Sequence, residues 1–176
     1  MKRIIFFLTA LALCVSMAAC GQKAPAIPDD AVTIVIPPEF AGAETQKELT
    51  ERYSEHGYLE ARLTEEGSVV LTMTAEKHAQ LLADTETSIR ENLAAMIGAE
   101  DNRFTKIEAS EDFTHYDVYL PAEEPELGET FYVLSFLFSS SLYYVVLGEE
   151  MPEMTVDFIN ELTGDIIYTY PEPTEG

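Results

Sequence analysis

The chain of 176 residues has no tryptophan, two cysteines (Cys14 and Cys20), and 10 lysines and arginines against 32 aspartates and glutamates. Each shortage closes a class of function. Binding to nucleic acid rests on neutralising phosphates with Lys and Arg, and a formal charge of −22 opposes it. The same charge opposes electrostatic docking on anionic lipid. Histidine is scarce as well: His56, His78 and His115 are all there are, and no two stand at the spacing of an H-E-x-x-H zinc pair. There is no G-x-S-x-G elbow, no glycine loop able to cradle a phosphate and no D-x-[DN]-x-[DN]-G calcium loop. Acid pairs such as Asp29-Asp30, Glu100-Asp101 and Glu111-Asp112 are too frequent to single out a site. The sequence therefore assigns no catalytic residue, no cofactor and no metal ligand.

What is present begins at the N-terminus. Met1-Lys2-Arg3 is basic, Ile4 to Ala19 carries no charge, and the run ends in the small residues Ala18 and Ala19. A basic start, an apolar middle and a small-residue exit are the layout of a secretory signal peptide. A permanent membrane anchor is the alternative, but a spanning helix needs about 20 predominantly apolar residues. Met17-Ala18-Ala19-Cys20 resembles the lipobox of bacterial lipoproteins, with Met17 where leucine is usual and Gly21 following. The resemblance implies a signal peptide over 1–19, cleavage before Cys20 and lipid on its thiol. It also implies a place on the extracytoplasmic face of a bacterial cell membrane. One acyl chain binds a membrane only marginally, whereas two hold stably. Cleavage would remove Cys14 and leave no disulfide partner. It would also remove Lys2 and Arg3, taking the charge from −22 to −24 over 157 residues. Such acidity keeps a surface solvated and repulsive; its sharper reading is attraction of cations or basic peptides.

Residues 20–30, with prolines and no apolar periodicity, read as a lipidated tether. Residues 31–170 read as a single domain of ordinary size, and 171–176 as a disordered tail. Val32 to Ile36 is β-branched and stops at Pro37-Pro38, a strand. Thr45 to Glu48 has the form of a capping box, opening a helix that ends at Gly57. Leu59, Ala61 and Leu63, then Val69, Leu71 and Met73, alternate around Glu65-Glu66-Gly67 and predict a hairpin. Thr74 caps a helix whose stripe is Leu82, Ile89, Leu93 and Met96, ending at Gly98. Phe104 to Ala109 and Phe113 to Leu120 are strand-like, with His115 on the face opposite Tyr116 and Val118. Met154-Val156-Phe158 and Ile166-Tyr168-Tyr170 form a closing hairpin around Thr163-Gly164. The order predicts the α+β class: an antiparallel sheet of hairpins with two or three helices packed on one face.

Residues 130–148, TFYVLSFLFSSSLYYVVLG, contain no charge. Length alone nominates a membrane span, but the flanks Glu129 and Glu149-Glu150 offer no basic anchor. A buried helix ending at Gly148 is the preferred reading. A hairpin turning at the serines is the next, since Phe, Tyr and Val favour strands.

VTIVIPPEF and EEGSVVLTMTAEKHAQLL resemble stretches of a group of small bacterial lipoproteins without assigned activity, over residues 31–170. That resemblance implies the α+β fold and a helix at 130–148, and it transfers no site. The functional expectation is a lipid-anchored module binding an envelope protein, a peptide or a glycan. Its alternatives are an accessory subunit of an envelope assembly, docking through 130–148, and a carboxylate- or calcium-dependent hydrolase.

Overall fold

The computed structural model describes residues 27–42 and 45–172. The signal peptide expected over 1–19, Cys20, the tether up to residue 26 and tail residues 173–176 lie outside the described residues. In chain order the elements are β1 (Val32–Ile36), α1 (Gln46–Glu55), β2 (Glu60–Leu63), β3 (Val69–Met73), α2 (Ala75–Met96) and β4 (Lys106–Ala109). Then come β5 (His115–Leu120), α3 (Leu127–Thr130), α4 (Tyr132–Leu147), β6 (Thr155–Asn160) and β7 (Ile166–Tyr170). The fold is α+β, with helices packed against sheets.

Local chemistry accounts for most boundaries. The Thr45 hydroxyl accepts from the Glu48 backbone while the Glu48 carboxylate accepts from the Thr45 N–H at 2.9 Å, a complete capping box that starts α1. Thr74 accepts from the Lys77 N–H at 3.1 Å and starts α2. Gly148, at φ 79°, ends α4 in the left-handed conformation that glycine adopts without a Cβ penalty. In the turn between β6 and β7, the Asn160 carboxamide oxygen accepts from the Leu162 and Thr163 N–H groups.

The strands form two sheets. One has the order β1-β3-β2, antiparallel throughout; the other has the order β4-β5-β6-β7. The β2–β3, β4–β5 and β6–β7 hairpins are all present. The central β5–β6 pair is parallel, with Tyr116 beside Val156 and Val118 beside Phe158. Parallel neighbours need a long crossover, and α3 with α4 provide it. Alternation of apolar and polar residues is the same in both pairings, so the sequence pattern could not separate them. The second strand-like run begins at His115 rather than Phe113, because Phe113 sits at φ 55° in the preceding turn.

Two apolar clusters result. The larger gathers Ile89 and Leu93 of α2, Phe136 and Tyr143 of α4, and the inward residues Tyr116, Val118, Val156 and Phe158. The smaller lies under the three-stranded sheet and holds Ile34, Leu49, Ala61, Val69, Leu71 and Met73. α2 reaches both, with Leu81 against the smaller and Leu82 against the larger. Each fully buried large side chain contributes about 1.5–3 kcal/mol.

Candidate functional site

A helix apolar on every side needs cover on every side. The two halves of α4 meet that requirement differently. Inward, Phe136 stacks on Tyr116 with ring centroids 4.9 Å apart, and Tyr143 meets Phe113 edge-on at 5.0 Å. Ser140, fully buried, donates to the Phe113 carbonyl at 2.6 Å and lies 2.9 Å from the Tyr116 hydroxyl. This one serine of the three-serine run therefore ties the helix to the start of β5. At its C-terminal end α4 also approaches the first sheet, with Gly148 placed so that a Cβ would come within 3.8 Å of Ile34. The opposite side of its first turns, with the α3 segment before it, stays exposed. Leu127, Phe131, Leu134 and Phe138, at steps of four, three and four, are 75, 60, 60 and 56 % exposed. They form one continuous stripe along α3 and α4. The expected helix at 130–148 is there and ends at Gly148; its burial is one-sided, since these residues stay more than half exposed, although the Phe40 ring lies 5.3 Å from that of Phe138.

Beside the stripe runs a shallow groove whose other wall is α2. Asn92 and Met96 face Leu134, Ser135, Phe138 and Ser139 across it, with Asp84 and Ser88 further along. The leading end of the stripe is clamped. Glu129, 2 % exposed, accepts from Arg103 Nε at 2.8 Å and the Arg103 backbone N–H at 2.9 Å on one oxygen. On the other it accepts from Arg103 Nη2 at 2.6 Å and the Glu126 N–H at 2.8 Å. The Arg103 guanidinium holds this carboxyl below the usual range, and the two backbone donors add to that against the opposing effect of burial. Next to it, Tyr132 donates to Asp101 at 2.8 Å and packs on Phe104 at 5.1 Å.

The candidate residues named from sequence are scattered. Cys20 lies outside the described residues. His56 is the C-cap of α1. His78 bonds through Nε2 to the Val146 carbonyl at 2.7 Å, satisfying a backbone acceptor in the last turn of α4. Asp112 organises a turn, accepting from Ser110 at 2.6 Å and the Thr114 hydroxyl at 2.9 Å, which lowers its pKa. His115 is partly exposed on its strand, and the structure brings it together with Asp117 and Asp157, one donor atom of each lying within 4.8 Å of the others.

Two features escaped the sequence reading. A charge-free run does not say which side of its helix stays bare. His115-x-Asp117 has the period of one strand face, but its third member arrives only through the β5–β6 register. Compared with family models, curated proteins and solved structures, the chain shows no significant match.

Proposed function

We propose that this chain is a lipid-anchored docking module of a bacterial envelope, tethered through Cys20 and binding a partner protein along the Leu127–Phe138 stripe. The observation that carries the reading is that stripe. In a chain this acidic, α4 buries one side in its own core and leaves Leu134 and Phe138 exposed, and Leu127 of α3 and Phe131 at the α3–α4 junction extend that apolar line. Contiguous exposed apolar surface of this kind marks interaction sites, whereas the scattered Leu162 and Ile166 need no such account.

The occupant we favour is an amphipathic helix of an envelope protein with a basic rim. Leu134 and Phe138 form one wall of a groove whose other wall is α2, a shape that takes the apolar face of a helix, and Asp84 lines that groove further along. A second copy of the chain would bring another charge of about the same sign and size to the contact. Fractionation and site-specific cross-linking test the two parts separately. Cys20→Ala releases the protein from the membrane fraction on this reading; unchanged retention refutes the anchor. A photo-reactive residue at position 138 cross-links to one discrete envelope protein in intact cells, and the same probe at Leu162 does not. Equal products at both positions refute the docking face, and a product of twice the chain's own mass replaces the partner with a second copy.

A further inference from the structure

The outward face of the four-stranded sheet carries an arrangement that the docking face does not use. In β5 the residues alternating with buried Tyr116, Val118 and Leu120 are His115, Asp117 and Tyr119. The parallel register places Thr155 beside His115 and Asp157 beside Asp117, and the antiparallel one places Thr169 beside Asp157. Two carboxylates opposite one another on neighbouring strands repel unless positive charge stands between them. His115 stands against both: its Nε2 is 3.1 Å from Asp117 Oδ1 and 3.8 Å from Asp157 Oδ2.

The imidazole is held from behind. His115 Nδ1 lies 2.7 Å from Thr155 Oγ1. In the neutral ring with its proton on Nδ1, that N–H donates to Thr155, and Nε2 turns a lone pair toward the two carboxylates. A lone pair facing two anions needs a proton or a metal ion between them. With zinc bonds of about 2.0–2.1 Å, the ligand atoms of a tetrahedral site stand about 3.3–3.4 Å apart; the observed 3.1 and 3.8 Å bracket that edge. The remaining Asp157 oxygen, Oδ1, accepts from Thr169 at 2.6 Å, the outer partner that a ligating carboxylate takes. Glu108 stands beside Asp117 on β4 but is engaged by Lys106 at 2.7 Å and by the Tyr119 hydroxyl.

We propose that His115 Nε2, Asp117 and Asp157 bind a divalent transition-metal ion of the zinc type. A nitrogen among the donors selects such ions over magnesium and calcium, which take oxygen ligands. The three side chains are 41, 31 and 16 % exposed, so a fourth coordination position faces solvent and is open to water or to a ligand group from outside. The proposal is independent of the docking stripe.

Calorimetric titration of the full chain in detergent with zinc, magnesium and calcium chlorides tests it. The expected result is one zinc per chain, and no comparable heat from the other two ions. Thr169→Val weakens zinc about 10-fold or more, as loss of an outer partner does. His115→Ala and Asp157→Asn weaken it further, and Glu111→Gln leaves it unchanged. Zinc affinity in His115→Ala equal to that of the parent overturns the proposal. Should that variant fail to fold, the His115 ring resonances of the parent chain decide: a zinc-dependent shift supports the site, and none overturns it.

Discussion

The Arg103–Glu129 clamp makes an asymmetric prediction. Glu129 is 2 % exposed while the Arg103 side chain is 37 % exposed. Replacing Arg103 with Ala strands a buried carboxylate with only two backbone donors, those of Arg103 and Glu126. Breaking a buried pair in this way costs about 3–5 kcal/mol. Replacing Glu129 with Ala instead leaves a guanidinium that water reaches, so the expected loss is nearer 2–3 kcal/mol, mostly from the two orphaned N–H groups. The pH dependence separates the two further. In the parent, a carboxyl held below its ordinary range contributes stability above that range and loses it as pH falls through the folded pKa. In Arg103→Ala the burial remains and the guanidinium is gone, so protonation relieves the stranded charge and the deficit shrinks as the solution is acidified. Urea unfolding followed by circular dichroism at neutral and acidic pH measures both effects. A Glu129→Ala deficit equal to or larger than that of Arg103→Ala at neutral pH would refute the reasoning, as would a deficit in Arg103→Ala that grows on acidification.

The two sides of α4 give a paired contrast in the same assay. Phe136→Ala, at a fully buried position, costs about 3–5 kcal/mol, whereas Phe138→Ala, at a position 56 % exposed, costs about 1 kcal/mol or less. Equal losses would mean that the stripe is not bare. Ser140→Ala leaves the Phe113 carbonyl and the Tyr116 hydroxyl without their shared partner and costs about 1–3 kcal/mol by urea midpoint. An unchanged midpoint would show that the two groups find other partners.

Much of the fold was legible wherever the determinant is local. Thr45, Thr74 and Gly148 act at helix ends through bonds or dihedrals that involve only near neighbours, and each does what its position in the sequence implies. Period-two alternation located the β2–β3 and β6–β7 hairpins for the same reason. The parallel β5–β6 pair was not legible, since it depends on where a crossover of two helices returns the chain. Phe113 read as a strand residue, because an aromatic at φ 55° is held by the fold around it and not by its own preference. Glu129 looked like one more acid at the edge of a charged break, and its importance comes from Arg103, 26 positions away. The same distance in sequence hides the candidate sites. The bare side of α4 is defined by what α2 and the sheets leave uncovered, and Asp157 joins His115 across 42 positions through strand register alone.

If the stripe is a docking face, the size of the native particle shows it directly. The full chain, purified from its native cells in mild detergent, is compared with a Leu134→Glu/Phe138→Glu variant by size-exclusion chromatography with light scattering. Both substituted positions are more than half exposed, so the variant keeps its fold. The account predicts that the parent elutes in an assembly larger than one chain and that the variant elutes as a single chain with an unchanged circular dichroism spectrum. A parent that elutes alone, or a variant that stays in the same assembly, contradicts it.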